Sequence, residues 1–233
     1  MNNKSEITLL SEKISLNPND INLLYKRVEY NKSKNNLESA LYDLKEIVRL
    51  DSLNKNHHNR IARVYFELSK AKNLENRYPF LVRYHLEKSI ALDNFNPEAF
   101  ALYGELLLAY NRYEEAIKYF NLSLEADYNQ QNSHMLMGYA FKKINKPENA
   151  INCFMNALKI NPRFFEAHMQ LGNIYHLLQD TNALSHYNNA LRLKPNDEMV
   201  LYNKALFYQS ILDWNNALNA YSELHKISPF HSS

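Results

Sequence analysis

The chain has 233 residues, 45% of them hydrophobic, enough to bury a substantial core in one or two domains. Lys and Arg number 27 against 25 Asp and Glu, a formal net charge of +2, too balanced to point to a nucleic acid or a membrane surface as partner. One cysteine, Cys153, excludes an internal disulfide and a multi-cysteine metal site, and no apolar run approaches the roughly 18 residues of a spanning helix.

The opening residues, MNNKSEITLL, are polar and include an acid, unlike a secretory signal, so a cytoplasmic compartment is expected for the chain as it stands. Register along the rest of the chain comes from its three glycines, Gly104, Gly138 and Gly172, spaced 34 residues apart. Glycine in a helix interior costs about 1 kcal/mol relative to alanine, and a loop-rich enzyme scatters its glycines through turns. Such a lattice marks a 34-residue repeat. With each glycine at position 8, repeats begin at 97, 131 and 165.

In chain order, Ile7, Leu10, Ile14, Leu16 and Pro18 match positions 21, 24, 28, 30 and 32, so residues 1–20 read as a half repeat, a second helix without its first. Leu24, Val28, Ala40, Leu44 and Ile47 define a repeat over 21–54. His58, Ala62 and Tyr65 open another over 55–96, whose second half is displaced eight residues by an insertion around KNLENRYP. The repeat over 97–130 carries Phe100, Tyr103, Gly104, Leu107, Ala116, Phe120 and Ser123 at positions 4, 7, 8, 11, 20, 24 and 27. Over 131–164 the same places hold His134, Met137, Gly138, Phe141, Ala150, Phe154 and Ala157, with Pro162 at 32. The next repeat, 165–197, keeps register through Tyr175; Ala183, Tyr187, Ala190 and Pro195 then arrive one residue early, which predicts a shortened turn. Leu201, Ala205, Tyr208, Ala217, Tyr221, Leu224 and Pro229 fill a sixth repeat over 198–231.

This pattern resembles the tetratricopeptide repeat (TPR) over roughly residues 21–231: small at 8, large at 11, Ala at 20, aromatic at 24, small at 27, Pro at 32. The resemblance implies an all-α fold, a right-handed α–α superhelix of about six helix pairs plus the N-terminal half-repeat helix. Helical geometry agrees. Positions 4, 7, 8 and 11 share one face of a first helix, and 20, 24 and 27 share one face of a second. A small residue at 8 is expected to face Ala at 20 so that the helices approach closely, which makes the glycines packing notches. Proline at 32 ends the second helix. No polar helix follows Pro229 to cover the sixth repeat. The chain is therefore expected to be a piece of a longer solenoid, or to self-associate through this uncapped end.

With all glycines used inside helices, no P-loop, dinucleotide-binding fingerprint or nucleophile elbow is present, nor any HExxH, EF-hand loop or paired CxxC. His58, His134 and His168 share position 4, a packing position, and read as volume-filling imidazoles rather than metal ligands. Cys153 reads as an inert thiol beside the core position Phe154. The expectation is no enzyme, no cofactor and no metal.

In TPR proteins the first helices line a concave face, and positions 2, 5, 6, 9, 12 and 13 contact peptides. The resemblance thus implies a groove carrying Tyr25, Arg60 and Arg63 in the first two repeats. Leu102, Met135, Tyr139, Met169, Asn173, His176, Tyr202, Asn203 and Leu206 follow in the others. The early repeats present a charged mixture that also includes Lys26, Glu29 and Asn59. The later ones offer an adaptable Met/Tyr lining suited to an apolar peptide stripe, with Asn173 and Asn203 placed to bond an extended backbone. The family's carboxylate clamp for chaperone tails needs Lys at position 5, where this chain has Met169, and a further repeat to supply its last Lys and Arg, so that reading is rejected. The leading expectation is a scaffold that binds a protein or peptide in the groove. A regulatory or substrate-recruiting module of a larger protein or enzyme is the alternative.

Overall fold

The computed structural model describes residues 5–71 and 78–228, and every regular element among them is helical. The helices are α1 (Glu6–Leu16), α2 (Ile21–Ser33), α3 (Leu37–Leu50), α4 (Lys55–Ala71), α5 (Tyr78–Leu92), α6 (Pro97–Ala109), α7 (Tyr113–Ala126), α8 (Gln131–Lys143), α9 (Pro147–Ile160), α10 (Phe165–Leu177), α11 (Asn182–Leu193), α12 (Glu198–Ser210) and α13 (Trp214–Ile227). Residues 72–77 of the expected insertion and Pro229 lie outside the described residues. From α2 onward the helices pack as antiparallel-type pairs of sequence neighbours, α2 with α3 through α12 with α13, and α1 packs on α2. Two compact units divide between Asp127 and Tyr128. The first holds α1 to α7 and the second α8 to α13.

Local chemistry sets the helix ends. Asp20, Asn36, Asn96, Asp197 and Asp213 cap α2, α3, α6, α12 and α13, each accepting from a backbone N–H two or three residues on. Pro97 and Pro147 start α6 and α9, where a missing N–H costs nothing. Between the helices of a pair, Asn35, Asn111, Asn145, Gln179 and Leu212 all occupy position 15 and turn the chain with φ between 55° and 61°. Each turn is closed by a bond from the next N–H to a carbonyl five residues earlier, as from Arg112 to Leu107 O at 2.9 Å. The shortened repeat keeps this turn: Gln179 holds the same conformation and Asp180 N–H reaches Tyr175 O. The missing residue is absorbed instead at the start of α11. Ala183 and Leu184 N–H bond to Asp180 and Thr181 carbonyls three residues back, where Ala116 in α7 bonds four residues back.

The glycine notch is real, but its occupant differs from the expected alanine. A Cβ on Gly104 would lie 2.7 Å from the Phe120 ring, one on Gly138 2.7 Å from Phe154, and one on Gly172 2.6 Å from Tyr187. Position 8 therefore receives the aromatic of position 24, because only a bare Cα leaves room for a ring that is itself fully buried between the two helices. Volume is traded across the pair. Where position 8 is Val28 or Ala62, position 24 is Leu44 or Leu86. Where Ala205 faces Tyr221, that ring stays partly exposed and its hydroxyl donates to Gln209 Oε1 at 3.1 Å.

Position 4 has a second job besides filling space. Nε2 of His58, His134 and His168 meets the carbonyl six residues earlier, at Ser52 (3.0 Å), Tyr128 (3.2 Å) and Pro162 (3.2 Å), which ties each first helix to the turn before it. Two of these imidazoles pair with another through Nδ1, His58 with His85 at 3.0 Å and His168 with His186 at 3.1 Å. Ser89 and Ser123, both fully buried at position 27, donate to the position 1 carbonyls of Lys55 and Pro97.

Candidate functional site

The first helices of the N-terminal unit are α2, α4 and α6, and their polar groups are turned on one another. Tyr25 Oη bonds His57 Nδ1, and His57 Nε2 reaches Asp51 Oδ2 at 3.0 Å. The Arg60 guanidinium lies 4.6 Å over the Tyr25 ring and reaches Glu29 Oε1 at 3.2 Å. Burial raises the Tyr25 pKa, and Arg60 works against that rise. Arg63 Nη1 donates to Glu105 Oε2 at 2.7 Å. Arg60 and Arg63 of the charged mixture are thus each paired with a glutamate of the same unit, while Lys26 is exposed. Leu102 does not belong to this surface. It is 1% exposed, buried within the packing of α6 on α4, α5 and α7.

In the C-terminal unit the corresponding helices are α8, α10 and α12. Met135 is half-buried against the cluster of Ala150, Phe154, Ala157, Ala167, Leu171 and Ile174, and Met169 against that of Tyr187, Val200 and Phe207. Asn173 Oδ1 accepts twice at 3.0 Å, from Tyr187 Oη and from Asn203 Nδ2. One half of each asparagine amide is therefore used internally. Asn173 Nδ2 and Asn203 Oδ1 remain, one donor beside one acceptor. His176 completes the cluster, with Nδ1 3.4 Å from Tyr187 Oη and its ring edge-on to Phe207; burial holds its pKa below the usual imidazole value. Tyr202 is 47% exposed, borders a cleft of about 490 Å³ with Met199 and Tyr221, and Leu206 is half-buried nearby along α12.

Tyr139 has company that sequence reading passed over. Lys142 and Lys143 place their ammoniums 6.0 and 5.3 Å from its ring centroid, and Lys142 Nζ donates to Gln170 Oε1 at 2.6 Å, joining α8 to α10. The signal was the adjacent lysines of AFKKINK at positions 12 and 13, both peptide-contacting positions. Elsewhere, Trp214 and Leu218 of α13 are 59% and 68% exposed. Cys153 is buried, which pushes its thiol up to about 12 and removes its nucleophilic form. Among the described residues no group of three or more His, Cys, Asp or Glu is arranged to hold a metal, and no helix is long and apolar enough to cross a membrane.

Family models described as "Tetratricopeptide repeat" and "TPR repeat" match residues 97–130 and 138–179. The chain belongs to the tetratricopeptide repeat family. TPR proteins mediate protein–protein interactions. This TPR chain is 21% identical over 155 residues to anaphase-promoting complex subunit 3 of Schizosaccharomyces pombe, a match covering 62% of this chain and 23% of that protein. It spans 12% to 36% of the length of the curated relatives it matches. Among solved structures, PilF of Pseudomonas aeruginosa superimposes with a TM-score of 0.74 at 17% identity, covering 90% of this chain and 92% of PilF. YrrB, described as a TPR protein with an unusual peptide-binding site, gives 0.65 at 19% identity, covering 81% and 93%. These likenesses establish the helix-pair fold.

Proposed function

We propose that this TPR chain is a non-enzymatic interaction scaffold, a half repeat over 1–20 followed by repeats at 21–54, 55–96, 97–130, 131–164, 165–197 and 198–231. In this reading it holds an extended partner segment on the first-helix faces of its C-terminal unit. One observation carries the reading. The Asn173–Asn203 ladder leaves a donor and an acceptor unused beside the half-buried Met135 and Met169 and the exposed Tyr202, the combination an extended backbone with apolar side chains requires. In the N-terminal unit Tyr25, Arg60 and Arg63 serve mainly to neutralise that unit's own groups. The length of its relatives favours a second reading, in which the same face recruits partners for a larger polypeptide. Exposed Trp214 and Leu218 make self-association through α13 a further proposal, tested by light scattering.

The experiment replaces Tyr139, Tyr202 and Asn203 together by alanine and spares Asn173, whose loss would orphan the buried Tyr187 hydroxyl. Partners purified on the native chain should be lost by the triple variant, with helical signal and melting nearly unchanged. Full retention by the folded variant would rule the face out.

A further inference from the structure

Two first-helix arginines of one unit and two first-helix lysines of the other are treated differently. Arg60 and Arg63 each meet a carboxylate, Glu29 at 3.2 Å and Glu105 at 2.7 Å. Among the described residues, Lys142 and Lys143 meet none. Lys142 is half-buried, and its polar neighbours are Gln170 Oε1, the Tyr139 ring and the second ammonium. Burial and then Lys143 push its pKa down, and no carboxylate offsets them. The negative end of the α8 dipole favours a cation in the last turn. It does not explain two ammoniums on one tyrosine ring with one of them partly desolvated. Two like charges beside one ring repel in the free protein, as the effect of Lys143 on Lys142 shows, and a bound anion offsets that repulsion and accepts charge-assisted hydrogen bonds. The Gln170 side-chain NH₂ and the positive edge of the Tyr139 ring are further favourable neighbours for an anion.

We propose that Lys142, Lys143, Tyr139 and Gln170 form an anion subsite that takes the side-chain carboxylate of an Asp or Glu in the partner segment. The inference rests on the scaffold reading above and deepens it. The occupant is an extended segment with apolar residues toward Met135 and Met169 and an acidic residue at fixed spacing from them. A peptide carboxylate is the fitting anion, because the same segment presents backbone to the Asn173–Asn203 ladder and apolar side chains to Met135 and Met169. These lysines stand at positions 12 and 13 of one repeat. The site is therefore distinct from the clamp at positions 2, 5, 6 and 9, which this sequence lacks.

The test selects random dodecapeptides on the intact chain from two displayed libraries, one flanked by protein on both sides and one ending in a free carboxylate. Peptides from the flanked library should carry Asp or Glu at a constant distance from an apolar residue. Lys142→Glu with Lys143→Glu should weaken them tenfold or more, and changing their acid to Lys should restore binding to that variant. Lys142→Met with Lys143→Met serves if the reversed pair melts early. Selected peptides that lose binding with Tyr202→Ala and Asn203→Ala, yet show no acidic preference and change less than twofold on charge reversal, would overturn the subsite and leave the scaffold reading standing. An acid requirement met only by the free terminus would overturn the side-chain assignment. Peptides indifferent to Tyr202→Ala and Asn203→Ala, or no peptides at all, would overturn the scaffold reading and the subsite with it.

Discussion

The N-terminal and C-terminal units are built from the same helix pair, yet they spend their polar residues differently. In the first, Arg27 makes a two-pronged ion pair with Asp43, which is 1% exposed, and Arg60 and Arg63 find Glu29 and Glu105. In the second, positions 7 and 23 hold Met137 with Cys153, Leu171 with His186 and Lys204 with Ala220, none of them an ion pair, and the first-helix faces carry amides, methionines and the lysines beside Tyr139. The repeat constrains what lies between its two helices and is silent about what lies outside them. One unit's outer positions are closed by internal pairing. The other's are left with bonding capacity.

The largest expected effect breaks the N-terminal unit alone. Asp43→Ala strands the Arg27 guanidinium in a mostly buried place and should cost about 3 kcal/mol. Urea unfolding should show that loss in the N-terminal unit, with the C-terminal unit's transition unmoved in a proteolytic footprint. A shift of both by the same amount would mean that the difference between the units does not extend to their stability.

Both units share the glycine notch, so a blow there should not distinguish them. Gly138→Ala drives a Cβ to within 2.7 Å of a fully buried ring, as Gly104→Ala does in the other unit. Each should lose about 1–3 kcal/mol despite alanine's better helix propensity. Pairing Gly138→Ala with Phe154→Leu reproduces the Ala62 and Leu86 combination and should recover part of the loss, read as a coupling energy in a double-mutant cycle.

Among the described residues each unit also holds an imidazole pair, buried in the first and part-buried in the second. Burial first, then the neighbouring His58 or His168, hold His85 and His186 at about 4 against an ordinary 6.5. Lys45 adds to this at His85, while Tyr65 and Tyr175 stack on the two rings. A cation-forming group whose folded pKa is depressed prefers to be neutral. Its contribution is complete above about 6.5 and is lost as pH falls from there through 4. With solvent screening allowed for, stability should fall by about 1–2 kcal/mol per pair across that window. His85→Phe and His186→Phe should each flatten the urea midpoint's pH dependence by a similar amount. Flattening by only one of them would mean that the part-buried His168–His186 pair does not share the pH dependence of the buried His58–His85 pair.

The smallest effect concerns the turns. Leu212 adopts φ 61° where Asn35, Asn111 and Asn145 serve elsewhere. Leu212→Asn should stabilise the C-terminal helix pair by about 0.5–1 kcal/mol, seen as a raised melting temperature.

What the sequence determined by itself was everything governed by local periodicity. Its 34-residue lattice, the apolar spacing of 3.6 and the capping Asp and Asn residues specify where helices start, stop and pair, since those rules involve neighbours along the chain. The resemblance to TPR proteins, through positions 6 and 9, is what proposes Tyr139, Asn173 and Asn203 as groove residues. Contacts between separate helices were decided only in three dimensions. A repeat register can say that Gly138 is a notch but not that Phe154 fills it, and can place Leu102 at a groove position but not show that it is buried. The partners of the outer charges are likewise a matter of space. Arg60 and Arg63 look as free as Lys142 and Lys143 in a string of letters, and they differ because carboxylates 31 and 42 residues away fold against the first two and none reaches the second.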